Sequence, residues 1–228
     1  MVAVVGDIHG CYYTFLALLN KIGERYPGVE LYSVGDLVDR GKFSCSVIDC
    51  FIENGFKFCI GNHEQMFLHF VEKTDPYLAL NWIQNGYETT LLSYEQQPEK
   101  IDEHINFIKS SPLYFNLDDC FISHAGISSA YKNIIGRRFE IGSEEFNKLI
   151  LRDIAEETSI LWTRDTLLDL GKLQVVGHSR KPEVVIKKKN NAVYIDTSAF
   201  TGNGLSAVIV ENSNILEIIF EKTDNRDF

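Results

Sequence analysis

Over the first 72 residues, apolar positions alternate between two periods. Short apolar runs at 2–6, 31–35 and 56–60 have the length and composition of buried strands. Between them, Phe15, Leu18, Leu19 and Ile22, then Val47, Ile48, Phe51 and Ile52, recur at three- and four-residue spacing, which predicts two amphipathic helices. A third helix is expected from about His63. Alternation of this kind implies βαβ units with parallel strands and right-handed crossovers. The carboxyl ends of such strands line one edge of the sheet, where ligands bind.

The rhythm breaks between 65 and 118. Both YLALNWIQNGYETTLLSY and EKIDEHINFIKSS read as helical, and Pro112 closes the stretch. It is expected as a helical cap beside the site rather than as part of a sheet. Apolar runs return at 120–123, 172–176, 192–196, 205–211 and 215–220, and the turns at 190–191 and 212–214 predict antiparallel hairpins. Lys187, Lys188 and Lys189 read as a solvated strand end and turn. No repeat, low-complexity segment or Gly/Ser linker interrupts the 228 residues, so a single domain over 1–228 is expected.

The strand ends share a grammar. VVGD, SVGD, CIGN and VVGH each run from apolar residues through a glycine to Asp7, Asp36, Asn62 and His178. His9 follows Asp7 by two residues, so in extended backbone the two side chains point the same way. His124 follows the apolar run at 120–123. Parallel strands would bring Asp7, His9, Asp36, Asn62, His124 and His178 to one edge. Carboxylates and imidazoles with one amide and no thiolate suit Mn²⁺, Fe or Zn²⁺; an all-oxygen set would favour Mg²⁺ or Ca²⁺. Each residue alone has an ordinary reading as a turn former or a hydrogen-bonded histidine. His69 and His104, in helical text without partners, keep that reading.

Composition narrows the class. With 45% hydrophobic and 24% charged residues the chain can bury a full core. A net charge of −10 argues against general nucleic-acid binding, which needs a cationic footprint. The apolar runs fall short of the roughly 20 residues a membrane helix needs, and the strand-like start shows no signal peptide, so a cytoplasmic protein without a membrane partner is expected. Cys11, Cys45, Cys50, Cys59 and Cys120 form no CxxC pair and read as free thiols in a reducing compartment. Cys11 directly follows GDIHG, yet small-residue packing is its favoured role.

GDIHG, GDLVDRG and GNHE occur in that order, followed by HAG at 124–126 and GH at 177–178. Together they resemble the metallophosphoesterase superfamily, and DRG and GNHE mark its phosphoprotein-phosphatase branch. The resemblance runs from residue 2 to about 200. The length and the NGYETTLLSY segment are similar to small bacterial and phage lambda-type serine/threonine protein phosphatases, with symmetrical dinucleoside tetraphosphate hydrolases as close relatives. The resemblance implies an α+β or α/β fold: a central sandwich of two mixed sheets flanked by helices in four layers, with two divalent ions, Mn²⁺ foremost, at the strand ends. It implies that Asp7, His9 and Asp36 hold the first ion. Asp36 then bridges to a second ion, ~3.5–4 Å away, held by Asn62, His124 and His178. The ions share a water, lower its pKa and supply hydroxide for in-line attack on phosphorus. Asp39 holds His63 as an imidazolium able to protonate the leaving oxygen, and Arg40 clamps phosphate oxygens bidentately. Arg164 fills the place of a second arginine, with an ion pair to Asp165 as its ordinary alternative and Arg137, Arg138 and Arg152 as competitors. Glu64 is expected to brace the site from behind. Tyr87 and Ser198 depart from the glycine and small residues usual in bacterial relatives, a difference confined to the substrate pocket.

The expected activity is metal-dependent phosphomonoester hydrolysis on phosphoserine or phosphothreonine, the partner being a phosphorylated protein or a small phosphomonoester. The alternative is a symmetrical bis(5'-nucleosyl)-tetraphosphatase, which needs extra cations. Residues 65–118 hold only Lys73, Lys100 and Lys109 against eight acids, which disfavours a highly anionic substrate, although the 131–138 loop could contribute. A silent binding module that kept the fold is disfavoured, because every ligand and the His–Asp pair are present.

Overall fold

The computed structural model describes residues 1–135 and 139–228; Arg137 and Arg138 lie outside the described residues. Strands β1 (Val2–Val5), β2 (Glu30–Ser33) and β3 (Lys57–Phe58) pair in parallel. They are joined through helices α1 (Tyr12–Arg25) and α2 (Ser44–Asn54). Further along the chain come α3 (Asn62–Glu72), α4 (Pro76–Ile83), α5 (Tyr87–Ser93), α6 (Ile101–Ser110) and α7 (Glu144–Arg152). Strand β9 (Gly204–Glu211) adds antiparallel to β1 and β10 (Asn214–Lys222) antiparallel to β9, giving the order β10-β9-β1-β2-β3. Asn212 and Ser213, both at positive φ, form the tight β9–β10 turn. The second sheet runs β4 (Tyr114–Asn116), β5 (Phe121–Ser123), β6 (Gln174–Val176), β8 (Ala192–Tyr194), β7 (Val185–Lys187). Here β5, β6 and β8 are parallel and the two edge strands antiparallel.

Side-chain alternation explains the layers. Val2, Val4, Tyr32, Val34, Val208 and Val210 turn inward and pack against Ile122, Val175 and Val193 of the second sheet, forming the interior of a sandwich. Their neighbours Ala3, Val5, Ala207 and Ile209 face outward onto Phe15, Leu18 and Ile22 of α1 and Val47, Ile48 and Phe51 of α2. On the far side Phe121 packs with Phe146, Leu149 and Ile150 of α7. The result is helices, sheet, sheet, helix, with the carboxyl ends of six parallel strands along one edge.

Residues 65–118 are helical as expected, with one correction. Tyr114–Asn116 is an edge strand of the second sheet, so the segment is not wholly outside the sheets. Its three residues, half-buried or exposed, carry too short a pattern to be read as a strand. Nor is it a free-standing lid: Trp82, Tyr94, Ile105 and Ile108 enter the same core as α1 and α2. No described helix is long and apolar enough to cross a membrane.

The start of α1 has no cap of its own, because Cys11 offers no side-chain acceptor. Fully buried Asp227 takes that role from the far end of the chain, accepting Tyr13 N–H and Thr14 N–H (3.0 Å each) and the Thr14 hydroxyl (2.6 Å). Its carbonyl also accepts Lys42 N–H (3.1 Å), next to the loop that carries Asp39 and Arg40. Asp227→Ala is therefore expected to lower unfolding free energy by about 1–2 kcal/mol, read as a shift in the urea midpoint without a change in slope.

Candidate active site

Asp7 follows β1, Asp36 follows β2, and Asn62 follows β3 as the first residue of α3. His124 follows β5 and His178 follows β6. All are buried, and Asp7, His9, Asp36, Asn62, His63 and His178 line one cavity of about 400 Å³. The glycines before Asn62 and His178 have a steric reason. A Cβ on Gly61 would overlap Asp36 Oδ1, and one on Gly177 would overlap Asp7 Oδ1. Half of the ten described non-glycine residues at positive φ lie here, namely His9, Asp36, Asp39, Arg40 and His178. Such strain, about 1–3 kcal/mol per residue, persists only where surrounding contacts over-determine the backbone. Buried Glu64 supplies those contacts, accepting the N–H groups of Gly61, Asp36, Leu37 and Val38 at 2.7–3.2 Å.

The donor atoms point at one another. His124 Nδ1 faces Val34 O (3.0 Å), His178 Nε2 faces Trp162 O (3.1 Å) and His9 Nδ1 faces Val38 O (2.9 Å). Each neutral ring spends its single N–H on a carbonyl and leaves a lone pair on the other nitrogen. Those of His124 Nε2 and His178 Nδ1 lie 2.8 and 3.0 Å from Asn62 Oδ1, itself an acceptor. Asp36 Oδ2 sits 3.5 Å from His9 Nε2 and 3.4 Å from His124 Nε2, between the two rings. Burial holds His9 and His124 below the ordinary imidazole range. Burial, His124 and Arg164 together push His178 down to about 3. The neutral rings and their opposed lone pairs fit divalent cations, which would accept every one of them.

Carboxylate charge points the same way. Burial, then Asp196 and Asp36, push Asp7 well above the ordinary range. Asp36 is held low despite burial because His124, His63 and His9 surround it. Asp196, placed at the end of β8, lines the same cavity, and burial aided by Asp36 pushes it up to about 6. It escaped sequence reading because no glycine precedes it, although an apolar run ending in aspartate is itself a signal.

His63 Nδ1 lies 2.5 Å from Asp39 Oδ2. Asp39 is fully buried and also accepts Trp82 Nε1–H (2.9 Å) and the Thr90 hydroxyl (2.6 Å). Burial lowers the His63 pKa, but Asp36 and Asp39 outweigh it and the net shift is upward. Trp82 and Thr90 belong to α4 and α5, so the cap fixes the carboxylate that orients His63. The sequence offered no sign of that beyond two residues in helical text.

Arg40 donates to His9 Nε2 (3.0 Å), and its guanidinium lies 4.3 Å from the centre of the Phe200 ring. Arg164 lines the cavity and has no carboxylate within 4 Å among the described residues; Asp165 accepts the Ser128 hydroxyl instead. Arg152 is removed as a competitor by its paired contacts to Asp153 (2.6 and 2.9 Å). Arg180, unflagged in the sequence, also lines the cavity. Cys11 is buried in the core and its thiol is pushed up by burial, which agrees with packing. His104 keeps its ordinary reading as a hydrogen-bonded core histidine. Tyr94 Oη lies 2.8 Å from Nδ1 and Asp49 Oδ1 3.2 Å from Nε2, which satisfies the Cys45–Asp49–His104 cluster without an ion.

Two mixed sheets, with imidazoles, carboxylates and an amide gathered where their parallel strands end, define a metal-dependent hydrolase of phosphoester bonds. The chain belongs to the calcineurin-like phosphoesterase family, whose profile matches residues 1–200. A relative from Anoxybacillus flavithermus, named asymmetrical bis(5'-nucleosyl)-tetraphosphatase PrpE, is 33% identical over 90% of this chain and 88% of its own length. A cold-active protein-tyrosine phosphatase of a Shewanella species shares the fold at TM-score 0.68 and 19% identity, over 98% of this chain and 80% of that one. A serine/threonine phosphatase of Saccharomyces cerevisiae does so at TM-score 0.59 and 19% identity, over 98% and 79%.

Asp36 faces imidazoles of both halves of the cluster, so Asp36→Asn is expected to lower bound divalent metal at least about tenfold. Elemental analysis after dialysis checks this, and retention of unaltered stoichiometry would remove Asp36 from the ligand set.

Proposed function

We propose that the protein hydrolyses dinucleoside polyphosphates and cuts them asymmetrically. One observation carries this reading: the site cavity adjoins two further clefts, sharing Arg180 with one and Trp162 with the other, and Arg164 lines all three. A phosphomonoester needs one exit from the scissile phosphorus, whereas a dinucleotide extends from it in two directions. The name of the relative that is 33% identical supports this substrate class over the phosphoprotein expected from the sequence, and an asymmetrical cut over the symmetrical one weighed as the alternative. The protein-phosphatase neighbours, at 19% identity, speak to the fold alone.

In this reading Asp7, His9, Asp36, Asn62, His124 and His178 hold two divalent ions. When bound, these supply Lewis acidity and a water activated for attack on phosphorus. Arg40 and Arg164 bind non-bridging phosphate oxygens and set the phosphorus in line. Asp39 engages His63 Nδ1, leaving Nε2 to give a proton to the departing oxygen. A departing polyphosphate is weakly basic and needs that proton less than an alkoxide does.

Two outcomes are expected of the Mn²⁺-loaded protein. Diadenosine tetraphosphate should be converted to AMP and ATP faster than any member of a phosphoserine, phosphothreonine and phosphotyrosine peptide panel is dephosphorylated; consumption of the peptides alone would overturn the reading. His63→Asn should slow alkyl phosphate hydrolysis by roughly 10²–10⁴-fold while slowing nitrophenyl phosphate and diadenosine tetraphosphate much less. Equal slowing of all three would exclude a proton-donor role.

A further inference from the structure

The two clefts differ in charge. One, about 650 Å³, is walled by Arg164, Arg180, Lys181 and Asn203, and no carboxylate lines it. The other, about 450 Å³, sets Arg164 against Glu157 and Asp165 and offers the rings of Tyr77 and Trp162. Tyr77 is 72% exposed, so its face is open to a stacking partner.

Aromatic rings position the cations of the first cleft. Among the described residues, Arg40, Arg164, Arg180 and Lys181 have no carboxylate within 4 Å, a property they share with several surface lysines such as Lys42, Lys132 and Lys172. What distinguishes three of the four is an aromatic ring beside the charge. Arg40 and Arg180 both lie over Phe200, at 4.3 and 5.6 Å from its centroid, and Lys181 lies 5.6 Å from that of Tyr194. Asn203 ties the two walls together by donating to the carbonyls of Pro182 (3.0 Å) and Thr197 (2.8 Å). Unpaired cations at fixed spacing beside a phosphoester centre suit a linear polyanion. A neutral aromatic nucleoside suits the other cleft.

Resting on the dinucleotide reading, we propose that the Arg180–Lys181 cleft is the subsite for the longer phosphate chain, and that the Tyr77–Trp162 cleft takes the nucleoside bearing a single phosphate. The unequal charge of the clefts then sets where the chain is cut. Water adds across one phosphoanhydride bond: its oxygen joins the phosphorus of the monophosphate product, the bridging oxygen leaves with the triphosphate, and the released proton passes to solvent. Arg180 and Lys181 act as specificity-determining residues.

Calorimetric titration of the Mn²⁺-loaded full chain with inorganic tripolyphosphate and with orthophosphate tests the subsite directly. Arg180→Gln combined with Lys181→Gln should weaken tripolyphosphate binding by about 10–100-fold, and orthophosphate binding by a smaller factor. Lys57→Gln, which removes a cation paired with Glu30 elsewhere on the surface, should change neither. Tyr77→Ala should raise KM for diadenosine tetraphosphate several-fold while tripolyphosphate affinity holds. Tripolyphosphate affinity unchanged within twofold in the double variant would overturn the proposal. A fall in that affinity in a protein that does not turn over diadenosine tetraphosphate would keep the subsite and overturn the dinucleotide reading instead.

Discussion

Lone pairs and carboxylates crowd together at the common edge of the two sheets, and the rest of the molecule is arranged to hold them there. Asp7, Asp36 and Asp196 share one cavity with the buried imidazoles of His9, His63 and His178. Left to themselves, such groups would separate or take up protons, because an uncompensated buried charge is expensive. They stay because they hang from the ends of six parallel strands, three in each sheet, and the sandwich interior fixes where those ends are. The strained backbones of His9, Asp36 and His178 are the local consequence. Gly61 and Gly177 are its steric counterpart, since the volume a side chain would fill is already occupied by a neighbouring carboxylate.

The helices of residues 65–118 take part in this arrangement. Asp39 has to stay ionised and immobile behind His63, and three hydrogen-bond donors do that work: the imidazole itself, Trp82 and Thr90. The backbone N–H of Arg40 is held by the carbonyl of Gly86, so α4, the following turn and α5 grip both polar residues of the DRG sequence. Stacking of Trp82 on Phe67 at 4.9 Å then joins that grip to α3, whose first turn carries Asn62 and His63. A disturbance in the cap therefore reaches the acid–base pair through packing.

The parts legible in the sequence were those with a short-range signature. Apolar runs ending in glycine and a polar residue gave Asp7, Asp36, Asn62 and His178, and strand–helix alternation gave the parallel half of the first sheet. The three-residue strand Tyr114–Asn116 was not legible, because a period of two needs more residues than that to show. Asp196 ends an apolar run without the glycine that marks the others. Trp82 and Thr90 lie far along the chain from Asp39 and sit in ordinary helical text, so only the tertiary fold reveals their role. Arg180 directly follows a ligand and its serine neighbour, yet reads as a surface residue until the 198–203 loop is placed against it.

The charge of the cap and the charge of the site differ. Residues 65–118 hold few cations, of which Lys100 and Lys109 pair with Asp49 and Glu72, while Arg40, Arg164 and Arg180 of the cavity come from other segments. Bulk charge and local charge act over different ranges. At physiological ionic strength the screening length is about 8 Å, so acids spread over the surface weigh little on an anion seated against Arg40, Arg164 and Arg180. The same acids still repel a long polyanion that must lie across the surface. A net charge of −10 thus argues against nucleic acid yet weighs little on a short phosphate chain, so the distance over which the ligand extends decides which charge it feels.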